Sequence, residues 1–139
     1  MIAGYRLIDH TADFRLEIFG VDPASLFQQA AMALFDLISD PSLLNGIHRS
    51  AIEIHGDDWA DLMVNWLREL LYCWNGDKRL VAGVTIDLIE PTRLKATLAY
   101  DRYVPQRHEI RNEIKAATYH QIEVRPHADG WIGRVILDV

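Results

Sequence analysis

Several features that define common protein classes are absent from this chain of 139 residues. It has one cysteine, Cys73, so neither a disulfide framework nor a cysteine-based zinc site can be drawn from it. No apolar run approaches the ~20 residues that span a bilayer, and the N-terminus has no charged leader or signal-like core. Lys and Arg number 14 against 20 Asp and Glu, which disfavours a broad phosphate-binding surface. We therefore expect a cytoplasmic protein with no membrane association and no strong direct nucleic-acid binding.

Motifs of self-contained catalysis are absent as well. No Ser-His-Asp or Cys-His arrangement has a supporting sequence context, and no Gly-rich phosphate loop is present. A hydrolase site assembled from His10, His120 and Asp13 would lack both a nucleophile and an oxyanion hole. These absences favour a protein that is not an enzyme. A metal-dependent hydrolase acting on a small phosphate ester is the less favoured alternative.

Apolar residues make up 50% of the chain, which is enough for one core, and we predict a single domain over residues 1–139. Two segments show the three- and four-residue apolar spacing of amphipathic helices. The first follows Asp22, a candidate N-cap, with Pro23 in the first helical position. The second begins at the cap-like Asp57 and stops at Asn75-Gly76. Its stripe of Trp and Met side chains is interpreted as core rather than as a cofactor site.

The remaining segments alternate apolar and polar residues with the period of a β-strand. They are YRLI (5–8), FRLEIFG (14–20), HRSAIEIHG (48–56), LVAGVTIDLIE (80–90), RLKATLAYDRY (93–103), EIKAATYHQIEVRP (113–126) and WIGRVILDV (131–139). Pro91-Thr92 and Asp129-Gly130 are turn signals that predict hairpins. No internal repeat is visible. We predict an α+β fold in which two amphipathic helices pack on a mixed, largely antiparallel β-sheet.

The stretch DHTAD, residues 9–13, places two carboxylates, an imidazole and a hydroxyl between two strands. A turn through Thr11 and Ala12 can bring Asp9 and Asp13 together or direct one of them inward. Convergent carboxylates suit Ca²⁺ or Mg²⁺, whereas zinc requires more imidazole or thiolate than this loop supplies. On the loop alone, an Asx-type turn with a structural role is the favoured interpretation.

A second acidic feature lies at the C-terminus, where Asp138 precedes the terminal carboxylate of Val139. The apolar strand before it would hold both negative groups in place, and a divalent cation would relieve their repulsion. A solvated tail is an equal alternative. A third feature is the segment IKAATYH, in which alternation puts Lys115, Ala117 and Tyr119 on one face of a strand.

These pieces occur together in a known family. The chain resembles archease over essentially its full length. The resemblance is carried by DHTAD, FQQAAMALFDLISD, GDDWADLMVNWLRELLY, EIKAATYHQIEV and GWIGRVILDV. It implies an accessory factor that partners a GTP-dependent RNA ligase of the RtcB type in tRNA splicing or RNA repair. Such a factor promotes guanylylation of the ligase's active-site His and multiple turnover. The resemblance also implies an alternative role as a chaperone or modulator of an RNA-processing enzyme such as a tRNA cytosine methyltransferase.

The resemblance also assigns roles to particular residues. Asp13 and Asp138 match the metal-binding acidic residues of the family, with the terminal carboxylate of Val139 close by. Lys115 matches a functionally important Lys, and we expect His10 and Asp9 to act with it in partner activation. The implied cofactor is a divalent metal, Ca²⁺ or Mg²⁺. One departure is Gln28, where many members carry Glu, so the metal affinity of this chain would be lower if that Glu contributes charge.

Overall fold

Two α-helices and seven β-strands make up the regular structure of the described residues in the computed structural model. The structure describes residues 3–9 and 13–139 and, of Asp9, the backbone alone. The strands are β1 Gly4–Asp9, β2 Asp13–Gly20, β3 His48–His55, β4 Arg79–Glu90, β5 Arg93–Arg102, β6 Ala116–His127 and β7 Gly130–Asp138. The helices are α1 Pro23–Ile38 and α2 Trp59–Asn75, and a 3₁₀ turn occupies Pro41–Leu43. All the predicted strands and both predicted helices are therefore present.

Helix α1 begins where the capping signals predicted. The Asp22 carboxylate accepts a hydrogen bond of 2.8 Å from the Ser25 N–H. Pro23 occupies the first turn, where a backbone N–H has no partner within the helix, so the N–H that proline lacks costs no hydrogen bond. Ser39 is the C-cap of this helix, and its N–H donates to the Phe35 carbonyl at 2.9 Å.

Helix α2 begins one residue later than the sequence suggested. Its N-cap is Asp58, whose Oδ1 accepts a 2.8 Å hydrogen bond from the Asp61 N–H. Asp57, the predicted cap, instead donates its backbone N–H to Asp61 Oδ2 at 2.8 Å. The two adjacent aspartates are equivalent capping signals in the sequence, and the backbone path decides between them.

The strands form two sheets, and every strand pair among the described residues is antiparallel. The first sheet has the order β1-β2-β7-β6 and the second has the order β3-β5-β4. Helix α1 packs against β2 and β4, and α2 packs against β6 and β3, so each helix contacts both sheets. The predicted α+β fold is confirmed. The division into two sheets was not foreseen because alternation shows which residues face inward, not which strands pair.

Both helices follow a strand through the same Gly-x-Asp turn. The segments IFGVDPASL (18–26) and IHGDDWADL (54–62) share the pattern I-x-G-x-D-x-A-x-L, a local repetition that the sequence analysis missed. A Cβ on Gly20 would lie 2.4 Å from the Leu26 nitrogen, and a Cβ on Gly56 would lie 2.6 Å from the Leu62 nitrogen. The two glycines therefore let the first helical turn rest directly on the end of the preceding strand.

The helices are joined inside the core. Trp66 is fully buried, and its indole N–H donates a 2.9 Å hydrogen bond to the Phe27 carbonyl. This agrees with the interpretation of the α2 aromatic stripe as core. Cys73 is also buried, and burial raises the pKa of its thiol, so little reactive thiolate forms. None of the helices in the described part of the chain has the length and apolar character that crossing a bilayer requires.

Candidate functional site

The structure places Asp13 and Asp138 opposite each other. Asp13 is the first residue of β2 and Asp138 the last of β7, and their Cα atoms are direct partners in the antiparallel register. Side chains at directly opposite positions have Cβ atoms about 5 Å apart, and like charges there repel each other. Asp13 and Asp138 therefore place two carboxylates side by side at one edge of the sheet, which we call the acidic edge.

Both carboxylates belong to the face of the first sheet that is turned away from the helices, which we call the open face. Its defining residues alternate with the buried Leu16, Ile18, Val135 and Leu137 along the same strands. The open-face residues of β2 and β7 nearest the ends that carry the two aspartates are Asp13, Arg15, Glu17, Arg134, Ile136 and Asp138. A group bound between Asp13 and Asp138 would thus be accessible to solvent or to a partner.

The backbone at the chain end is held on both sides. Asp138 pairs with Asp13 on one side and with Ala116 on the other, and its carbonyl accepts a 2.7 Å hydrogen bond from the Lys115 N–H. Val139 follows directly and is 38% exposed. Asp138 is therefore part of the sheet rather than of a solvated tail, and Val139 follows it outside β7.

Lys115 lies beside the acidic edge through its backbone, whose N–H bonds to the Asp138 carbonyl, but its side chain lies on the α2 side of this edge. There it lines a shallow groove with Arg68 and Tyr72. On the same face Tyr119 donates a hydrogen bond to Asp61 of α2. Any role of Lys115 in partner contact would therefore involve the α2 side of this edge.

Two further predicted residues are placed only in part or not at all. The backbone of Asp9 lies opposite Arg15, next to the open face, beyond an irregularity in the β1–β2 pairing. His10 lies outside the described residues, as do Thr11 and Ala12, and the roles of Asp9 and His10 stay predictions.

A row of ion pairs crosses all four strands of the open face beside the acidic edge. Glu17 accepts from Arg6 Nε at 2.8 Å and from Arg134 Nε at 3.0 Å. Arg134 Nη1 also donates to Glu123 at 2.9 Å, and Arg125 pairs with the same carboxylate. This row of ion pairs was not predicted from the sequence. In the sequence, Arg and Glu recur at alternate positions of these strands. Only the pairing register of the strands shows that the side chains contact one another.

The row fixes the protonation of its carboxylates. Burial alone would raise the pKa of Glu17, but hydrogen bonds from Arg134 and Arg6 outweigh burial and hold the pKa below its usual value. The hydrogen bond from Arg125, together with that from Arg134, likewise lowers the pKa of Glu123. Both groups are therefore carboxylates at neutral pH, with positive charge on each side.

Glu17→Gln is expected to lower the free energy of unfolding at pH 7 by about 1–2 kcal/mol, because two guanidinium groups lose a charged acceptor. Since the folded pKa of Glu17 is lowered, its stabilisation is present above pH ~4.5 and is lost as pH falls through the folded value. The difference between variant and wild type should therefore shrink below pH ~4.5. Urea unfolding from pH 7 to pH 3 measures this, with the exposed Glu90→Gln as control. Equal stability of Glu17→Gln and wild type at pH 7 would contradict it.

Comparison with known proteins identifies the family. A sequence profile described as the Archease protein family matches residues 5–139. The chain belongs to this family. Protein archease from Methanosarcina acetivorans is 32% identical over 139 residues, covering 97% of this chain and 95% of the relative. Protein archease from Methanothermobacter thermautotrophicus is 33% identical over 140 residues, covering 98% and 99%.

Solved structures of similar chains share the fold. A solution structure of protein 1598 from Methanobacterium thermoautotrophicum has a TM-score of 0.80 and 31% identity, covering 98% of this chain and 99% of that one. A crystal structure from Thermotoga maritima, described as an archease and possible chaperone, has a TM-score of 0.64 and 21% identity, covering 96% of each chain. The first match shows that this chain has the same fold as a similar protein of 31% identity, and the second supports the fold alone.

The donor set at the acidic edge of this archease fits a hard cation. Asp13 and Asp138 offer side-chain carboxylates, and the predicted third ligand, the carboxylate of Val139, would also bind through oxygen, as Ca²⁺ and Mg²⁺ prefer. Among the described side chains, those of residues 3–8 and 13–139, no three His, Cys, Asp or Glu form a group able to hold a metal ion. A cation here would thus use two side chains and the chain end, with waters completing its coordination.

Gln28, the departure from the common archease Glu, bonds to the second sheet. Its side-chain N–H donates to the Val84 carbonyl in β4 at 2.9 Å, which ties α1 to that strand. A glutamate carboxylate could not donate this hydrogen bond. Asp13 and Asp138 belong to the first sheet, so the contact of Gln28 does not include them.

Proposed function

We propose that this archease activates a GTP-dependent RNA ligase of the RtcB type, in tRNA splicing or RNA repair, and performs no chemistry alone. The observation that carries the proposal is the direct pairing of Asp13 with Asp138 at the end of the chain. Two like charges in that register are unfavourable unless something positive joins them. Membership of the archease family supports a partner-directed role for such an edge.

The acidic edge would act through a divalent cation, Ca²⁺ or Mg²⁺, held by Asp13, Asp138 and the Val139 carboxylate. A divalent cation bound there neutralises negative charge on phosphoryl oxygens. The open face presents the edge outward, so it can enter the partner's nucleotide pocket during guanylylation of the ligase. Asp9, His10 and Lys115 would then contact the partner around it.

The overall charge suits this mode of action. A net charge of -6 favours encounter with a basic RNA-binding enzyme and disfavours direct binding of RNA. The protein would therefore meet the ligase in the cytoplasm and approach the nucleotide without competing for the RNA strand.

A guanylylation time course tests the proposal. The ligase is supplied with GTP and a divalent cation under multiple-turnover conditions, with this protein present or absent. We expect faster guanylylation and continued turnover with the wild type, and loss of both with Asp13→Ala and with Asp138→Ala. No enhancement by the folded wild type would remove the proposal.

A second candidate is a chaperone or modulator of an RNA-processing enzyme such as a tRNA cytosine methyltransferase. The description of the Thermotoga maritima archease as a possible chaperone favours it. Broad contact would then matter more than the acidic edge. The same two alanine variants separate the candidates, because a chaperone of this kind would retain its effect on solubility or selectivity of the methyltransferase.

A further inference from the structure

Arg15 forms an ion pair with Asp13, one of the two aspartates of the proposed cation seat. Its Nε lies 3.3 Å from Asp13 Oδ1, and its Nη1 lies 3.3 Å from Gln121 Oε1. Both distances are long for charge-assisted hydrogen bonds, which are usually about 2.7–2.9 Å. The Arg15 side chain is also 42% exposed. Its guanidinium group is therefore held loosely between two acceptors.

Gln121 reaches Arg15 because β6 is irregular at this point. The β6–β7 pairing shifts register between Thr118 and Glu123, and Gln121 has a left-handed backbone with φ of 55°. A non-glycine residue in that region is uncommon and is held there by its surroundings. Gln121 lines the same cleft as Ile136, which is only 7% exposed although it belongs to the open face.

Arg15 also lines a cleft on the open face. The cleft has a volume of about 330 Å³ and is lined by Arg15, Gln121, Glu123, Arg134, Ile136 and Ile8, among others. The second guanidinium in it, that of Arg134, is committed to Glu17 and Glu123 through bonds of 2.9 to 3.0 Å. Arg15 is thus the more available donor in the cleft.

We propose that Arg15 is an internal counter-ion that competes with a divalent cation for the Asp13 carboxylate, and that cation binding releases its guanidinium to bind a phosphoryl group in the adjacent cleft. The inference rests on the cation seat of the proposed function. The Asp13 oxygen that accepts from Arg15 cannot also coordinate a cation at full strength, and the cation repels the guanidinium. Either positive group therefore weakens the other.

The released guanidinium then needs a new acceptor. Its fork of N–H donors matches two oxygens of one phosphoryl group, and a phosphoryl group carries enough negative charge to face the cation and Arg15 together. Because binding linkage is reciprocal, a phosphoryl ligand tightens the cation as much as the cation tightens the ligand. Arg15 would in this way couple cation binding by Asp13 and Asp138 to binding of the phosphoryl group.

Titration of Mg²⁺ into the full chain, with and without inorganic phosphate, tests the inference. Removal of an exposed competing ion pair corresponds to roughly a fivefold change in affinity, so Arg15→Gln should bind Mg²⁺ about fivefold more tightly than wild type without phosphate. Phosphate should strengthen Mg²⁺ binding about fivefold in the wild type and by about twofold or less in Arg15→Gln, which lacks the guanidinium that phosphate would hold away from Asp13. The ¹⁵N resonance of the Arg15 Nε should also shift when Mg²⁺ is added.

Arg125→Gln is the matched control. It removes the same charge from the same face, but Arg125 pairs with Glu123 and not with Asp13. Its Mg²⁺ affinity should change by about twofold or less. In Gln121→Asn the shorter side chain moves the amide oxygen away from Arg15. The Arg15 guanidinium should then pair with Asp13 alone, so this variant should bind Mg²⁺ more weakly than the wild type. Circular dichroism verifies that each variant is folded.

The inference fails if Arg15→Gln and Arg125→Gln change the affinity equally, or if the Arg15 resonance does not respond to Mg²⁺. Either result leaves Mg²⁺ binding by the wild type intact, so the proposed function survives. Absence of any Mg²⁺ or Ca²⁺ binding by the wild type removes the cation seat itself, and the counter-ion role of Arg15 is removed with it.

Discussion

Asp13→Asn/Asp138→Asn is expected to abolish binding of divalent cations with little change in the stability of the cation-free protein. The two carboxylates are direct partners across β2 and β7, so replacing them with neutral groups of the same shape removes a repulsion of about 0.2–1 kcal/mol. Loss of the exposed Arg15–Asp13 ion pair offsets this gain by a similar amount. Loss of cation binding without loss of stability is therefore the result expected of paired carboxylates that bind a cation.

Adding the cation should make the wild type the more stable of the two proteins. At a concentration 100 times the dissociation constant, a ligand that binds only the folded state adds about 2.7 kcal/mol, and the wild type alone should receive it. Urea unfolding with and without Ca²⁺ or Mg²⁺ measures this, and calorimetric titration gives the binding itself. Loss of cation binding should also remove the stimulation of ligase guanylylation.

A matched double variant separates the site from the general loss of charge. Asp77→Asn/Glu90→Gln removes two exposed carboxylates, one after α2 and one at the end of β4. It should keep the full response to the cation. If both double variants lose the response equally, the effect comes from net charge and not from the Asp13–Asp138 pair.

Local signals predicted the elements of this fold well. Helical periodicity placed α1 and α2, and Asp22 with Pro23 marked the start of α1 to the residue. The error at the start of α2 arose because Asp57 and Asp58 are chemically identical caps, and Asp61 bonds to both positions. Strand alternation likewise gave the inward faces, since each strand has one side in the core.

Pairing between distant strands was beyond local signals. The residues of the open face come from β1, β2, β6 and β7, and nothing in the spacing of Arg6, Glu17 and Arg134 states that they meet. The expectation that Asp13 and Asp138 act together came from the archease resemblance rather than from periodicity. The position of the Lys115 side chain beside α2 was also beyond local signals, because Lys115 precedes β6 and follows no strand alternation.

Gly20→Ala is expected to be among the most damaging single-methyl additions in the chain. The new Cβ would lie 2.4 Å from the Leu26 nitrogen and 2.8 Å from its Cα, both in the first turns of α1. Backbone atoms held by a helix cannot move aside as a flexible side chain can, so α1 must separate from the end of β2. We expect a loss of about 3 kcal/mol in the free energy of unfolding, at the upper end of typical overpacking costs.

Gly4→Ala is the control, because its Cβ would meet nothing within 4 Å, and alanine lowers the entropy of the unfolded chain. Gly56→Ala should resemble Gly20→Ala, since its Cβ would lie 2.6 Å from the Leu62 nitrogen at the start of α2. Urea unfolding of the three variants decides the matter. Equal stabilities would mean that the Gly-x-Asp turns accommodate a side chain. A large loss at positions 20 and 56 alone would show that close contact between strand end and helix start fixes where both helices sit. Since α1 packs on β2, that contact supports the strand that carries Asp13.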